Sequence, residues 1–501
     1  MSAVLAIDAG TTGMRAMVVD PDAGVLSRGY REFPQSFPRP GWVEHDPEDW
    51  WNALLAATDE ALASAAVASA DLAAIGVTNQ RETTVLWDRA TLKAVHPAIV
   101  WQDRRTAPLC RTLSEEGWET RIRERTGLVV DPYFSATKIA WLLDNVAGGR
   151  ERARAGALAF GTVDSYLLAR LTGGAVHATD DTNASRTMLF DIHRRAWDEE
   201  LCERLDIPAS LLPDVRPSCG RFGVTDPDAF LGARIPISGI AGDQQASLFG
   251  HGCTLPGQTK NTYGTGSFLL MHTGGTPVTS PGGLLTTMAA STDGRPAYAL
   301  EGAIFVSGAA IQWLRDGLGI IDAASEVGPL AASAPDTGGV VFVPALAGLG
   351  APWWDPEARG TIIGITRGTN RAHLARATVE ALAYQTRDVV DLMRRDSGLD
   401  LPELRVDGGA SAMDLLLQLQ ADALNVPVVR PPILETTAIG AARLAGIAEG
   451  VWNETAFTDG DGEGSARFQP AETAAADAGY ARWRRAVERS LKWADEETTT
   501  P

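Results

Sequence analysis

A chain of 501 residues is too long for a single hydrophobic core, so two large domains are expected. Hydrophobic residues make up 45%, enough for globular folding throughout. The formal net charge of −19 argues against nonspecific binding to DNA, RNA or an anionic membrane. It leaves room for a small anion held by a local arginine, backbone donors and a metal.

The four cysteines, Cys110, Cys202, Cys219 and Cys253, are far apart with no CxxC pair. They read as reduced thiols, with neither a disulfide framework nor a zinc site. The opening MSAVLAIDAG lacks the basic start and the apolar run of a signal peptide, and no stretch reaches 18 uninterrupted apolar residues. A cytoplasmic protein is expected, with no stable membrane insertion and no nucleic-acid partner.

Residues 4–7 form a short β run, DAGTTG turns it, and residues 14–19 run back. DPDAG (20–24) makes a second turn, with Pro and Gly where turn chemistry wants them. A helix is predicted from Asp46, with Pro47 as its first residue and Asp49 three residues past the cap. Residues 75–78 form a buried strand that delivers NQRET, and residues 235–240 form another that delivers AGDQQ and a helical run. CTLPG, just past residue 250, marks a boundary. Beyond it the opening theme recurs without the aspartate: GQTKNTY as a strand, GTGS as a turn, FLLMHT as the returning strand. Two related halves, 1–251 and 252–501, would then turn phosphate-friendly hairpins toward a shared cleft.

Strands follow at 340–343 and 361–365, then a long helix capped by Asn370 that ends near Gly398. A strand at 404–406 leads into DGGAS and a helix, and a strand at 426–429 into a small-residue helix from about Thr437. This alternation indicates α/β layers. After Gly450 the chain turns polar: GDGEG (460–464) is a loop, a charged helix spans 471–495, and TTTP should fray.

Several short stretches could carry chemistry. DAGTTGMR (8–15) reads either as an ordinary hairpin turn or as a concave set of backbone and hydroxyl donors for phosphate, with Asp8 placed to hold a metal. RVDGGAS (405–411) offers a helix N-terminus to an anion, or is a plain βα turn. In NQRET, Arg81 and Glu82 supply the donors and acceptors a polyol needs, yet alone the pair reads as a surface salt bridge. Asp243 and Gln244 follow an apolar strand, where ligands bind open α/β sheets. Asp243 could cap the helix there, or accept a proton from an attacking hydroxyl in phosphoryl transfer. Trp101 and Tyr133 are core or lid residues, or walls for the C–H faces of a polyol.

The long blocks PGWVEHDP (40–47), IGVTNQRETT (75–84), DTNASRTMLF (181–190), RIPISGIAGDQQASLFG (234–250), KNTYGTGSF (260–268) and LAGLGAPWWDP (346–356) occur in one order. Through them the chain resembles the FGGY family of carbohydrate kinases from about residue 4 to about residue 450, and within it the branch that phosphorylates glycerol. The resemblance implies an α/β fold of two actin-like (ribonuclease H-like) domains flanking a catalytic cleft. It implies most of the glycerol pocket in the first domain and most of the adenosine site in the second. It implies ATP and Mg²⁺ as cofactors, glycerol as substrate, and a homodimer or homotetramer. By position, Arg81, Glu82, Trp101, Tyr133, Asp243, Gln244 and Phe268 match the glycerol pocket, with Asp243 as catalytic base. Asp8 and Asp243 match the carboxylates near Mg²⁺. Thr11, Thr12, Gly13, Arg15, Thr265, Gly308, Gln312 and Gly409 match nucleotide contacts. Gly13 stands where the family commonly has Ser, and Met413 where some relatives have an Asn near the adenine. The segment 217–232 has no His for phosphotransferase regulation, and the loop at 231–234 keeps only Arg234 as a basic residue for a sugar bisphosphate. A kinase for another polyol, and a nucleotide switch without a small substrate, are the competing readings. The switch leaves Arg81, Glu82, Trp101, Tyr133, Asp243 and Gln244 without a task.

Overall fold

The opening hairpin forms because its apolar run alternates between two buried faces. In the computed structural model, which describes residues 3–454 and 464–494, strand Val4–Ala9 pairs antiparallel with Gly13–Asp20. Leu5, Ile7 and Ala9 share one core with Trp50, Leu54 and Ala57 of the helix Pro47–Ala65. Val4 and Ala6 face the other way, onto Ala438, Ile439 and Ala442 of the helix Thr436–Ala448. The same alternation brings Asp8 out on that second face, at the carboxyl end of its strand.

The first sheet has six strands. Val4–Ala9 runs parallel to Ala74–Asn79, which runs parallel to Pro236–Gly242, and Cys219–Val224 closes that edge antiparallel. On the other side Gly13–Asp20 pairs with Gly24–Glu32. The second sheet repeats the plan. Thr259–Tyr263 pairs antiparallel with Ser267–Gly274 and parallel with Leu404–Asp407, then come Val428–Arg430 and an antiparallel edge, Ala466–Phe468. Tyr298–Ile304 and Leu285–Met288 extend the opposite side. The recurrence of the opening hairpin is therefore structural: both halves place their turn between equivalent strands. The expected strands at 340–343 and 361–365 form a separate antiparallel pair, Val341–Val343 with Thr361–Ile363, outside both large sheets.

Local signals set the helix ends. The Asp46 side chain accepts the Glu48 N–H at 2.9 Å, with Pro47 at the first helical position. Asn370 caps Arg371–Ser397, and Gly398 ends it at φ 68°. The charged C-terminal helix is shorter than expected, Thr473–Ser490. Residues 460–463 of the GDGEG loop, Asp495 and TTTP lie outside the described residues.

Chain order and spatial order part at Thr436–Ala448. This helix belongs to the second half of the sequence, yet it lies on the first sheet and beside the helix Asp243–Gly250. Glycines make the approach close. A Cβ on Gly440 would stand 1.9 Å from the Ala246 carbonyl oxygen, and one on Gly76 would stand 2.1 Å from that of Ala441. Asp407, at the end of its strand, fastens both helices by accepting from Ser247 at 2.9 Å and from the Thr436 hydroxyl. Gly440→Ala must push backbone from backbone. We expect it to cost about 1–3 kcal/mol, read as a lowered thermal midpoint. An unchanged melting curve would contradict this packing.

Candidate active site

Parallel strands of both sheets end at one cleft, and each end delivers polar residues. Ala74–Asn79 delivers NQRET, and its Arg81 and Glu82 are buried, 3% and 1% exposed. The surface-bridge reading of this pair therefore fails. The two side chains stand 3.9 Å apart and take other partners. Arg81 donates to Glu301 at 2.5 Å and 3.1 Å, and its Nε lies 3.2 Å from Asp243. Glu82 accepts from Arg186 at 2.6 Å, and Arg186 also reaches Glu301 at 2.9 Å. Burial alone would raise the Glu301 carboxyl, but the Arg186 and Arg81 guanidiniums overcome it and hold it down at about 2. Glu82 has a left-handed backbone, φ 61°, unusual for a non-glycine. Three donors fix its carbonyl oxygen: Ser135 Oγ at 3.0 Å, Thr84 Oγ1 at 3.1 Å and Lys138 Nζ at 3.2 Å. A strained residue so firmly held is a mark of functional sites.

Aromatic rings gather beside this network. Trp101 meets Tyr133 edge-on at 5.6 Å and Phe268, from the second sheet, at 6.5 Å. The Arg81 guanidinium lies 6.0 Å from the Phe268 ring centre. The Trp101 indole N–H donates to Thr11 Oγ1 at 3.0 Å, which ties these rings to the DAGTTG turn. The rings meet beside the Arg81 network, and Tyr133 and Phe268 also pack against neighbouring core residues, in keeping with the core reading.

Asp243 opens the helix Asp243–Gly250, but Gly242 is its N-cap. The capping reading of Asp243 therefore does not hold. Its side chain is 31% exposed, with Oδ1 accepting the Gln244 N–H at 2.7 Å. Gln244 is turned toward Lys260, whose ammonium it accepts. Asp8 pairs with Arg15 at 3.2 Å. Burial pushes the Asp8 carboxyl up to about 6; Arg15 opposes this and the Asp243 charge adds to it. Two carboxylates thus feel one another beside the glycine–threonine turn.

The second half contributes a cavity of about 700 Å³. Thr265, Gly308, Gln312, Gly409 and Met413 all line it. Its volume suits a nucleoside-sized ligand. Gly308 is glycine because a Cβ there would stand 2.6 Å from the Gly264 carbonyl oxygen. Gly408 sits at φ 83° with no room against Tyr263, whereas Gly409 faces open space. The expected helix does not begin at once. A 3₁₀ turn, Gly409–Ala412, intervenes and Met413 caps Asp414–Leu424. Thr11, Thr12, Gly13 and Arg15 lie apart from this cavity, on the hairpin of the first sheet.

Residues 3–250 match the N-terminal domain, and residues 259–449 the C-terminal domain, of the FGGY family of carbohydrate kinases. The chain belongs to the FGGY family of carbohydrate kinases. This FGGY kinase is 59% identical to a glycerol kinase of Halorhodospira halophila, covering 98% of this chain and 97% of the relative. It is 56% identical to a glycerol kinase of Symbiobacterium thermophilum, covering 98% and 99%. Among solved structures it resembles a Plasmodium falciparum glycerol kinase with ADP, at a TM-score of 0.91, 35% identity and 98% coverage of both chains. The α/β fold of two actin-like halves is that of the family.

Three residues of this FGGY kinase's site escaped sequence reasoning. Arg186 lay inside the DTNASRTMLF block without a role. Glu301 had a signal, a lone carboxylate in the apolar run AYALEGAIFV. Lys260 had none, since its partner Gln244 comes from the other half.

Proposed function

We propose that this FGGY kinase transfers the γ-phosphoryl group of ATP to a terminal hydroxyl of glycerol, giving sn-glycerol 3-phosphate and ADP. The observation that carries the reading is the cluster that brings Arg81, Glu82 and Asp243 together with Trp101, Tyr133 and Phe268. It offers the donors, acceptors and apolar ring edges that a small polyol needs. The relatives named glycerol kinase, similar over nearly the whole chain, support it.

Asp243 accepts the proton of the attacking hydroxyl as the oxygen–phosphorus bond forms and the bond to ADP breaks. Arg81 orients Asp243, and Glu82 and Arg186 hold Arg81 in turn through Glu301. Trp101, Tyr133 and Phe268 exclude water from the reacting hydroxyl. The DAGTTG turn, with Thr11, Thr12, Gly13 and Arg15, binds the phosphates, while Thr265, Gly308, Gln312, Gly409 and Met413 hold the nucleoside. The residues fit Mg²⁺: Asp8 and Asp243 supply two carboxylates, and such an ion takes its other oxygens from phosphate and water. Among the described residues no group of three or more His, Cys, Asp or Glu could cage a metal unaided. Bound with ATP, Mg²⁺ would neutralise charge on the β- and γ-phosphates. We place the reaction in the cytoplasm; no helix among the described residues is long and apolar enough to cross a membrane.

The test is to incubate the protein with Mg²⁺-ATP and glycerol and quantify glycerol 3-phosphate and ADP together. Equal amounts of both are expected. ADP formed without glycerol 3-phosphate would reject the substrate, and kcat/KM for dihydroxyacetone, erythritol and xylulose would then identify the acceptor.

A further inference from the structure

Tyr30 stands beside the phosphate turn without a role in the chemistry above. In register, Asp8 lies opposite Arg15, and Arg15 lies opposite Tyr30, so one face of three strands carries all three side chains. The Arg15 guanidinium bonds Asp8 at 3.2 Å and lies 5.6 Å from the Tyr30 ring centre. The phenol leans from there onto the turn itself. A Cβ on Gly13 would stand 2.6 Å from both Cζ and the hydroxyl oxygen of Tyr30, and 2.7 Å from the Arg31 carbonyl oxygen. The space of a side chain at residue 13 is thus filled by the phenol and the Arg31 carbonyl.

A ring with only a packing task would be covered, yet Tyr30 is 40% exposed. Its hydroxyl stands 3.5 Å from Thr12 Oγ1, too far for a bond that would occupy it fully. The O–H therefore remains available to a third group at the turn. The cation beside it and the glycine–threonine backbone around it select an anionic oxygen for that place.

We propose that Tyr30 is a phosphate-binding residue of the nucleotide site, its phenolic O–H donating to the triphosphate in place of the side chain that Gly13 lacks. The proposal rests on the ATP reading of the site. A hydroxyl donor to a charged oxygen makes a short, strong bond, and this one comes from a neighbouring strand instead of the turn.

Tyr30→Phe removes the donor and keeps the ring. ADP affinity by calorimetry and the KM values for ATP and glycerol are the readouts. Kd for ADP and KM for ATP should rise about tenfold, the scale of one hydrogen bond to a charged group, with KM for glycerol unchanged. Gly13→Ser alone should weaken ADP binding, because its Cβ meets the phenol and the Arg31 carbonyl oxygen and the turn must shift. Tyr30→Ala should weaken it as well. ADP binding by Tyr30→Phe within twofold of wild type overturns the assignment. So does an equal rise in the glycerol KM. Wild-type protein that binds no ADP would overturn the nucleotide reading, and this proposal with it; normal wild-type binding with an unaffected Tyr30→Phe overturns Tyr30 alone.

Discussion

Asp243→Asn is expected to lower kcat by about 10²–10⁴-fold while the thermal midpoint stays where it is, the range for loss of a positioned general base. The fold does not lean on this carboxylate. Gly242, not Asp243, caps the helix, and the Asp243 side chain is partly exposed to the cleft. Arg81 keeps its bidentate partner Glu301 when Asp243 is neutralised. The amide retains the size and can still accept from Arg81, but it cannot take a proton from an attacking hydroxyl. The loss should therefore appear in kcat and kcat/KM alike. Single-turnover rates of glycerol 3-phosphate formation read the step directly. Turnover near wild type would remove Asp243 from the chemistry.

Glu301→Gln should be severe in another way. Glu301 is 1% exposed and accepts from both Arg81 and Arg186. The neutral amide leaves two buried guanidiniums with Glu82 and Asp243 for counter-charge. Breaking a buried ion-pair network by removing one partner costs about 3–5 kcal/mol, because a desolvated charge is left uncompensated. We expect the urea midpoint to fall accordingly and the KM for glycerol to rise, since Arg81 loses the partner that aims it. A stability change below about 1 kcal/mol would show that the network does not depend on Glu301.

The parts that sequence made legible are those with local causes. The opening hairpin, its echo after residue 258 and the caps at Asp46 and Asn370 each depend on residues within a few positions. DGGAS was legible as a strand–glycine–helix junction, and its Gly409 lines the cavity together with Gly308, which the family resemblance supplied. The fate of Arg81 and Glu82 was not local. Whether such a pair is solvated or buried depends on Arg186 and Glu301, more than 100 residues away in the chain. The 3₁₀ turn after Gly408 was hidden for a finer reason: strand–Gly–Gly–helix spacing does not say how many residues pass before α geometry begins. Tyr30 was hidden because the space denied to residue 13 is visible only once the neighbouring strand is in place.

The helix Thr436–Ala448 has a consequence for how the molecule holds together. Val4, Ala6, Met17, Val19 and Ala74 are covered on that face by residues the chain supplies more than 350 positions later. The first half therefore has no finished interior until the second has been made, and the two are laced where sequence alone would string them like beads. The lacing passes within a few residues of Asp243. If the proposed sites hold, a nucleotide bound in the second half should raise the thermal midpoint of the whole chain and not of one half alone.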